Sequence, residues 1–160
     1  MRVRRKRGTI QVAQTGFESE ALAILKQKGF RVTLPRVQVL RILALSHKPM
    51  TAYAIHQEIA AMGSSVDVVT VYRILDTLKS LHLVHHVGLT DGYVACRLDD
   101  THESDSELIV CSDCGKVTEL EIPQEILLRS NDQLAALGFE PKLTKLEILA
   151  KCPSCLDEPA

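Results

Sequence analysis

At 160 residues the chain has room for one compact domain or two small ones, and 46% hydrophobic with 24% charged residues is the balance of a water-soluble protein with a buried core. No apolar run is long enough to span a membrane, and the basic start lacks the apolar segment of a secretory signal, so a cytoplasmic protein with reduced cysteines is expected. The net charge of −1 conceals a division: Met1 to His82 carries 13 Lys and Arg against 5 Asp and Glu, a balance of +8, whereas Leu83 to Ala160 carries 6 against 15, a balance of −9.

Such asymmetry suggests that the first half faces a polyanion and the second does another job. Part of the excess lies in the opening run Arg2, Arg4, Arg5, Lys6 and Arg7, which reads equally as a solvated tail or a phosphate-contacting arm. Residues 1–16, basic and then polar with Gly8 and Gly16, have the composition of a disordered tail.

Residues 17–98 read as helices followed by a hairpin. Leu22 and Leu25 stand at helical spacing in Glu18 to Lys28, which Gly29 ends. Thr33 is placed to cap a second helix, with Pro35 in its first turn and Val37, Leu40, Ile42 and Leu43 on its apolar face. Thr51 opens a third helix bearing Tyr53, Ile55 and Ile59, which closes near Gly63. The fourth runs from about Val68 to His82 with Val71, Ile74, Leu75 and Leu78 inward. Two strand-like pieces, Leu83 to Val87 and Tyr93 to Leu98, flank a turn at Leu89-Thr90-Asp91-Gly92.

Helices ending in a hairpin make a winged helix, whose last helix enters the major groove of DNA. Thr70, Tyr72, Arg73, Asp76 and Lys79 are left facing outward on that helix. Arg suits guanine edges, and Tyr offers a ring for thymine methyls and a hydroxyl for phosphate. Tyr53, early in the preceding helix, is placed to reach a phosphate or the groove edge. Tyr53, Thr70, Tyr72 and Arg73 are therefore the expected DNA contacts.

A hinge loop over residues 99–106 then leads into a second unit, residues 107–156, within an acidic stretch from Asp99 to Glu107. Strands are expected at Leu108 to Cys111, Lys116 to Ile122 and Leu143 to Ala150, with a helix from about Pro123 to Leu137. Two matched pairs, Cys111-Ser112-Asp113-Cys114 and Cys152-Pro153-Ser154-Cys155, sit at the ends of strands flanking that helix. Each Cys-x-x-Cys sets two thiolates on one tight turn, and two turns complete a tetrahedral sulfur shell for Zn²⁺. The ion would pin the last strand of this unit to its first. Overall an α+β chain is expected, a winged helix followed by a small α/β unit.

This order of motifs resembles the ferric uptake regulator family of bacterial metal-dependent repressors. Gly29-Phe30-Arg31-Val32-Thr33 with Arg36 is similar to the family's entry to its second helix. Val69-Thr70-Val71-Tyr72-Arg73 with Leu75 and Leu78 is similar to its recognition helix. Cys111-x-x-Cys114-Gly115-Lys116-Val117 and the terminal Cys-x-x-Cys resemble its structural zinc site. The resemblance covers about Glu18 to Cys155 and implies a homodimer on a palindromic double-stranded operator, with the second unit for dimerisation and no small-molecule substrate.

The fifth cysteine, Cys96, ends the wing, with His85 on the facing strand, His102 in the hinge loop and Glu119 after the first Cys pair. Together these four residues would form a mixed nitrogen, sulfur and oxygen shell that suits Zn²⁺ better than Fe²⁺ or Mn²⁺. Tyr93-Val94-Ala95-Cys96 resembles the zinc uptake regulators of the family, which implies the same four positions as the sensed-metal site and two zinc ions per chain. Ser104-Asp105-Ser106-Glu107 stands where iron-sensing members carry a His-rich run. The segment from His102 to Cys111 is longer than the usual pattern, which leaves Glu103 or Asp105 as substitutes for His102. His86 is expected on the opposite face from His85, and His47, His56 and His82 as surface or helix-end residues.

The implied function is a zinc-responsive repressor of zinc-uptake genes, with an iron- or peroxide-responsive regulator on the same fold as the alternative. A zinc hydrolase or deaminase is the remote rival. His102-Glu103 lacks the His-x-Glu spacing of the deaminases, and a four-sulfur shell leaves no open position for water, so no catalytic residue is expected.

Overall fold

Residues 13–97, 107–120, 123–140 and 145–157 are described by the computed structural model. Four helices come first: α1 (Ala13–Gln27), α2 (Leu34–Leu45), α3 (Ala52–Ala61) and α4 (Val68–Ser80). Ala21 and Leu25 of α1, Leu40 and Leu43 of α2, Ile55 and Ile59 of α3, and Val71, Leu75 and Leu78 of α4 are fully buried together. These are the helically spaced apolar positions, so the helices share one core.

The caps follow side-chain chemistry. Thr51 accepts the Ala54 N–H at 3.1 Å at the head of α3, and Asp67 accepts the Thr70 N–H at 2.9 Å at the head of α4. Thr33 stands at the N-cap of α2 but makes no capping hydrogen bond, and Pro35 occupies the first turn. α1 begins at Ala13, inside the stretch whose composition suggested a tail up to residue 16. Phe17 packs against the core and extends the buried face of α1 a turn further back than Leu22. The Arg-rich run lies outside the described residues.

Strands β1 (Val84–Val87) and β2 (Gly92–Ala95) form the antiparallel wing, with His85 opposite Val94 and Val87 opposite Gly92. The segment before α3 joins it: Met50 donates to the Tyr93 carbonyl at 3.0 Å and accepts the Tyr93 N–H at 2.8 Å. Gly92 permits this approach, since a Cβ there would stand 2.6 Å from the Cβ of Pro49.

The second unit comprises β3 (Glu107–Cys111), β4 (Val117–Leu120), α5 (Gln124–Ala136), β5 (Glu147–Ala150) and a short α6 (Pro153–Asp157). The sheet order is β4-β3-β5, with β4 antiparallel and β5 parallel to β3. Glu107, expected at the end of the acidic loop, is instead the first residue of β3 and is buried, its carboxylate accepting the Leu146 N–H. Five residues are too few to show a helical period, which is why α6 was not anticipated.

A smaller apolar cluster joins the units. Val87 and Val94 of the wing pack with Leu108 and Val110 of β3, and Val117 covers their edge. The fold is α+β: a winged helix followed by a small α/β unit, with one face of the wing against the sheet.

Candidate functional site

Parallel pairing of β3 and β5 places Cys111 opposite Ala150, so both Cys pairs leave the same end of the sheet. The first pair turns sharply: Gly115 donates to the Cys111 carbonyl at 3.0 Å, and Cys111 donates to the Lys116 carbonyl at 2.9 Å. Gly115 adopts φ +70°, a left-handed conformation that suits glycine. The second pair is wound by α6, where the Cys155 N–H donates to the Cys152 carbonyl at 3.0 Å.

The four sulfurs lie within 4.8 Å of one another and are thiols rather than disulfides. Cys114 Sγ and Cys152 Sγ are 3.7 Å apart, close to the edge of about 3.8 Å in a tetrahedron with Zn–S bonds of about 2.3 Å. Backbone N–H groups of Cys114 and Cys152 pull the Cys111 thiol down to about 6. The hydrogen bond with Cys152, with burial, pushes the Cys155 thiol up to about 12. An arriving cation would therefore meet a thiolate at Cys111 and displace the proton of Cys155.

The second cluster lies at the junction of the units. Cys96 follows β2, and its N–H bonds the Leu83 carbonyl at 3.0 Å, which sets Cys96 diagonally across the wing from His85 on one face. Glu119, on β4, completes the group. His85 Nε2 and a Glu119 carboxylate oxygen are 3.6 Å apart, as are Cys96 Sγ and that carboxylate. All three ligand atoms fall within 4.8 Å. His85 and Cys96 are buried, and His85 Nε2 has no hydrogen-bond partner, an orphan that a cation would satisfy. Burial works to raise the Glu119 carboxyl, but His85, the Arg97 N–H and Cys96 outweigh it and hold the group below its ordinary value. His102, with Glu103 and Asp105, lies outside the described residues.

Two further contacts bind the units, and sequence reasoning anticipated neither. At the wing turn, the N–H groups of Gly88 and Leu89 donate to the two oxygens of Glu147 on β5, at 2.8 and 2.9 Å. Lys145 pairs with Glu147 at 2.9 Å and donates to the His86 carbonyl. Burial opposes ionisation of Glu147, yet Lys145 and the two N–H groups hold its carboxyl below its ordinary value. Beside Glu119, Arg97 bonds the Ser46 carbonyl at 2.7 Å and His47 Nδ1 at 2.8 Å. Its own N–H donates to Glu119 at 2.6 Å. His47, with no partner legible in the sequence, is thus part of the junction, and His56 bonds the Val66 carbonyl at 2.9 Å.

On α4 the exposed residues are Val69, Tyr72, Arg73, Asp76, Lys79 and Ser80, which recur at helical spacing along one face. Tyr53 is exposed on α3, its ring 6.2 Å from that of His56. Thr70 is only half-buried, but its hydroxyl donates to Asp67 at 2.6 Å and helps to fasten the cap. His86 faces away from His85 and bonds the Asp91 carboxylate at 3.0 Å.

Comparisons with known proteins agree with this architecture. The model of the ferric uptake regulator family matches residues 27–149. The peroxide-responsive repressor PerR of Staphylococcus aureus strain Mu50 is 32% identical over 142 residues, covering 87% of this chain and 91% of that one. The zinc uptake regulation protein of Escherichia coli strain K12 is 30% identical over 139 residues, covering 87% and 81%. Among solved structures, a zinc uptake regulator complexed with zinc and DNA superposes with a TM-score of 0.78 at 28% identity, over 92% of this chain and 97% of that one. With winged helix, paired cysteines and junction cluster in this order, the chain belongs to the ferric uptake regulator family, a family of metal-responsive regulators rather than enzymes.

Proposed function

We propose that this protein is a zinc-responsive transcriptional repressor that binds a palindromic operator as a homodimer and governs genes for zinc uptake. The observation that carries the reading is the convergence of His85, Cys96 and Glu119 where the wing meets the sheet. Imidazole, thiolate and carboxylate are a donor set suited to Zn²⁺, whereas a thiolate is a poor choice for Fe²⁺ or Mn²⁺ held by nitrogen and oxygen. His102 is the proposed fourth donor.

Zinc bound there would add a fixed linkage between two units that otherwise meet through a small apolar cluster and the Glu147, Lys145 and Arg97 contacts. His85 and Cys96 orient the wing, and Glu119 ties it to β4. Cys111, Cys114, Cys152 and Cys155 would hold a permanent zinc that belongs to folding. Exposed Ile126, Leu128 and Phe139 on and beyond α5, with Leu149 on β5, give the second unit an apolar surface for a second copy. A dimer with fixed wings presents two copies of α4 at the separation of successive major grooves, about 34–36 Å. Tyr72 and Arg73 then read bases, Tyr53 reaches the backbone, and Thr70 serves mainly through the α4 cap.

The relation to a peroxide-responsive repressor and to the ferric uptake regulator family supports a second reading, an iron- or peroxide-responsive regulator on the same fold. Titration of the purified protein with Zn²⁺ and Fe²⁺, alongside Cys96→Ser, separates the two. DNA selected from a random pool serves as the probe. The expected result is one tightly held zinc per chain and a second that switches on DNA binding, lost in Cys96→Ser. Equal activation by Fe²⁺, with Cys96→Ser silent, would overturn the zinc assignment and leave the fold and DNA role in place.

A further inference from the structure

The wing lies across the sheet and is held at both ends. At its open end His85 and Cys96 face Glu119 on β4, and at its turn Gly88 and Leu89 face Glu147 on β5. β4 and β5 are the two outer strands of the three-stranded sheet, so their separation is about 10 Å. Three residues of extended chain, the distance from His85 to Gly88, cover about the same span. One carboxylate from each outer strand therefore meets one end of the hairpin.

The turn contact is built for charge-assisted hydrogen bonding. Glu147 accepts two adjacent backbone N–H groups with its two oxygens, is mostly buried, and is oriented by Lys145. Lys145 in turn bonds the His86 carbonyl, so both residues of the pair hold main chain of the wing. These donors and acceptors are backbone groups, so the grip fixes the position of the turn whatever side chains it carries.

We infer, resting on the zinc-hinge reading above, that Glu147 is a positioning residue: with Lys145 it clamps the wing turn to β5 and so presets the closed arrangement in which His85 and Cys96 meet Glu119. A metal that binds only the closed arrangement has an apparent affinity reduced by the fraction of molecules that are open. The clamp raises the closed fraction without touching the ion. Glu147 thereby sets the zinc concentration at which the junction fills, and through linkage the concentration at which DNA binds.

The test uses the full chain with its tightly held zinc, as wild type, Glu147→Gln and Lys145→Met. Gln accepts from one of the two N–H groups and turns a donor toward the other. Two quantities are read: the Zn²⁺ titration of the second site, and hydrogen exchange at the Gly88 and Leu89 amides. The expected result for Glu147→Gln is about tenfold weaker second-site zinc, within the usual range of coupling between sites, with faster exchange at both amides. The four-Cys zinc and the melting of the helical core should not change. Lys145→Met should shift both readings in the same direction by less. Wild-type zinc titration in both variants overturns the inference, even if the amides exchange faster, because the clamp would then be local. A wild type that takes up no second zinc sinks the zinc-hinge reading instead. The clamp itself then stands only if wild-type protection of the Gly88 and Leu89 amides disappears in Glu147→Gln.

Discussion

Thr70 and Arg73 stand one turn apart on α4, and the fold treats them differently. The Thr70 hydroxyl and N–H both bind Asp67, whereas Arg73 is exposed on the outward face between Tyr72 and Asp76. Replacing Arg73 by Ala should cost about 1–3 kcal/mol of DNA binding and relax sequence preference at one operator position. Competition binding across a set of single-base operator variants measures this, and a uniform loss over all variants would mean that Arg73 contacts phosphate instead. Asp67 allows a separate test of the cap. The hydrogen bond from the Thr70 hydroxyl, with that from its N–H, holds the Asp67 carboxyl below its ordinary value of 3.8. A depressed carboxyl stabilises the fold above its unfolded value, and this contribution is lost as pH falls through the lower, folded value. The Thr70 amide resonance should therefore titrate below pH 3.8 in the wild type and lose that inflection in Asp67→Asn.

At the scale of elements, the helices were legible because their apolar residues recur at helical spacing over ten or more residues and end at Thr, Asp and Gly signals. The strands were located to within a few residues, since a strand of four shows only two alternations. The junction was half legible. His85, Cys96 and Glu119 announce themselves by chemistry, whereas Arg97, Glu147 and Lys145 look like ordinary charged residues until pairing sets them beside the wing. The Met50–Tyr93 bridge had no signal beyond Gly92. That residue yields a sharp prediction: a Cβ at position 92 would stand 2.6 Å from the Pro49 Cβ and 3.0 Å from its carbonyl carbon. A proline ring and main chain cannot swing aside as a flexible side chain would. Gly92→Ala should cost about 1–3 kcal/mol of stability through overpacking, seen as a lower denaturation midpoint with an unchanged denaturant slope. A midpoint like that of the wild type would mean that the segment before α3 moves freely away from the wing.

At the scale of the molecule, the two cores differ in what they depend on. Among the described residues, every member of the larger core lies between Phe17 and Ala95, so the helices bury their apolar faces without the second unit, whereas Val87 and Val94 of the wing are buried against it. Among the described residues the second unit contributes Leu108, Val110 and Val117 to the smaller cluster, and its β5 is joined to β3 by a four-residue parallel ladder. What adds to that ladder is the Glu147 and Lys145 grip on the wing and the sulfur cluster at the end of both strands. Removal of a structural metal from such a site withdraws binding energy that belongs to folding. A strong chelator, or Cys152→Ser, should therefore release β5 and α6 while the helical core stays folded. Release of β5 removes Leu149 from the exposed apolar surface and Glu147 from the wing turn together. The expected outcome is a monomer by sedimentation that keeps most of its helical circular dichroism and no longer binds DNA even with the second site's zinc restored. A chelated protein that stays dimeric and binds DNA would show instead that the ladder and the apolar surface suffice, and that the four cysteines do not carry the second unit.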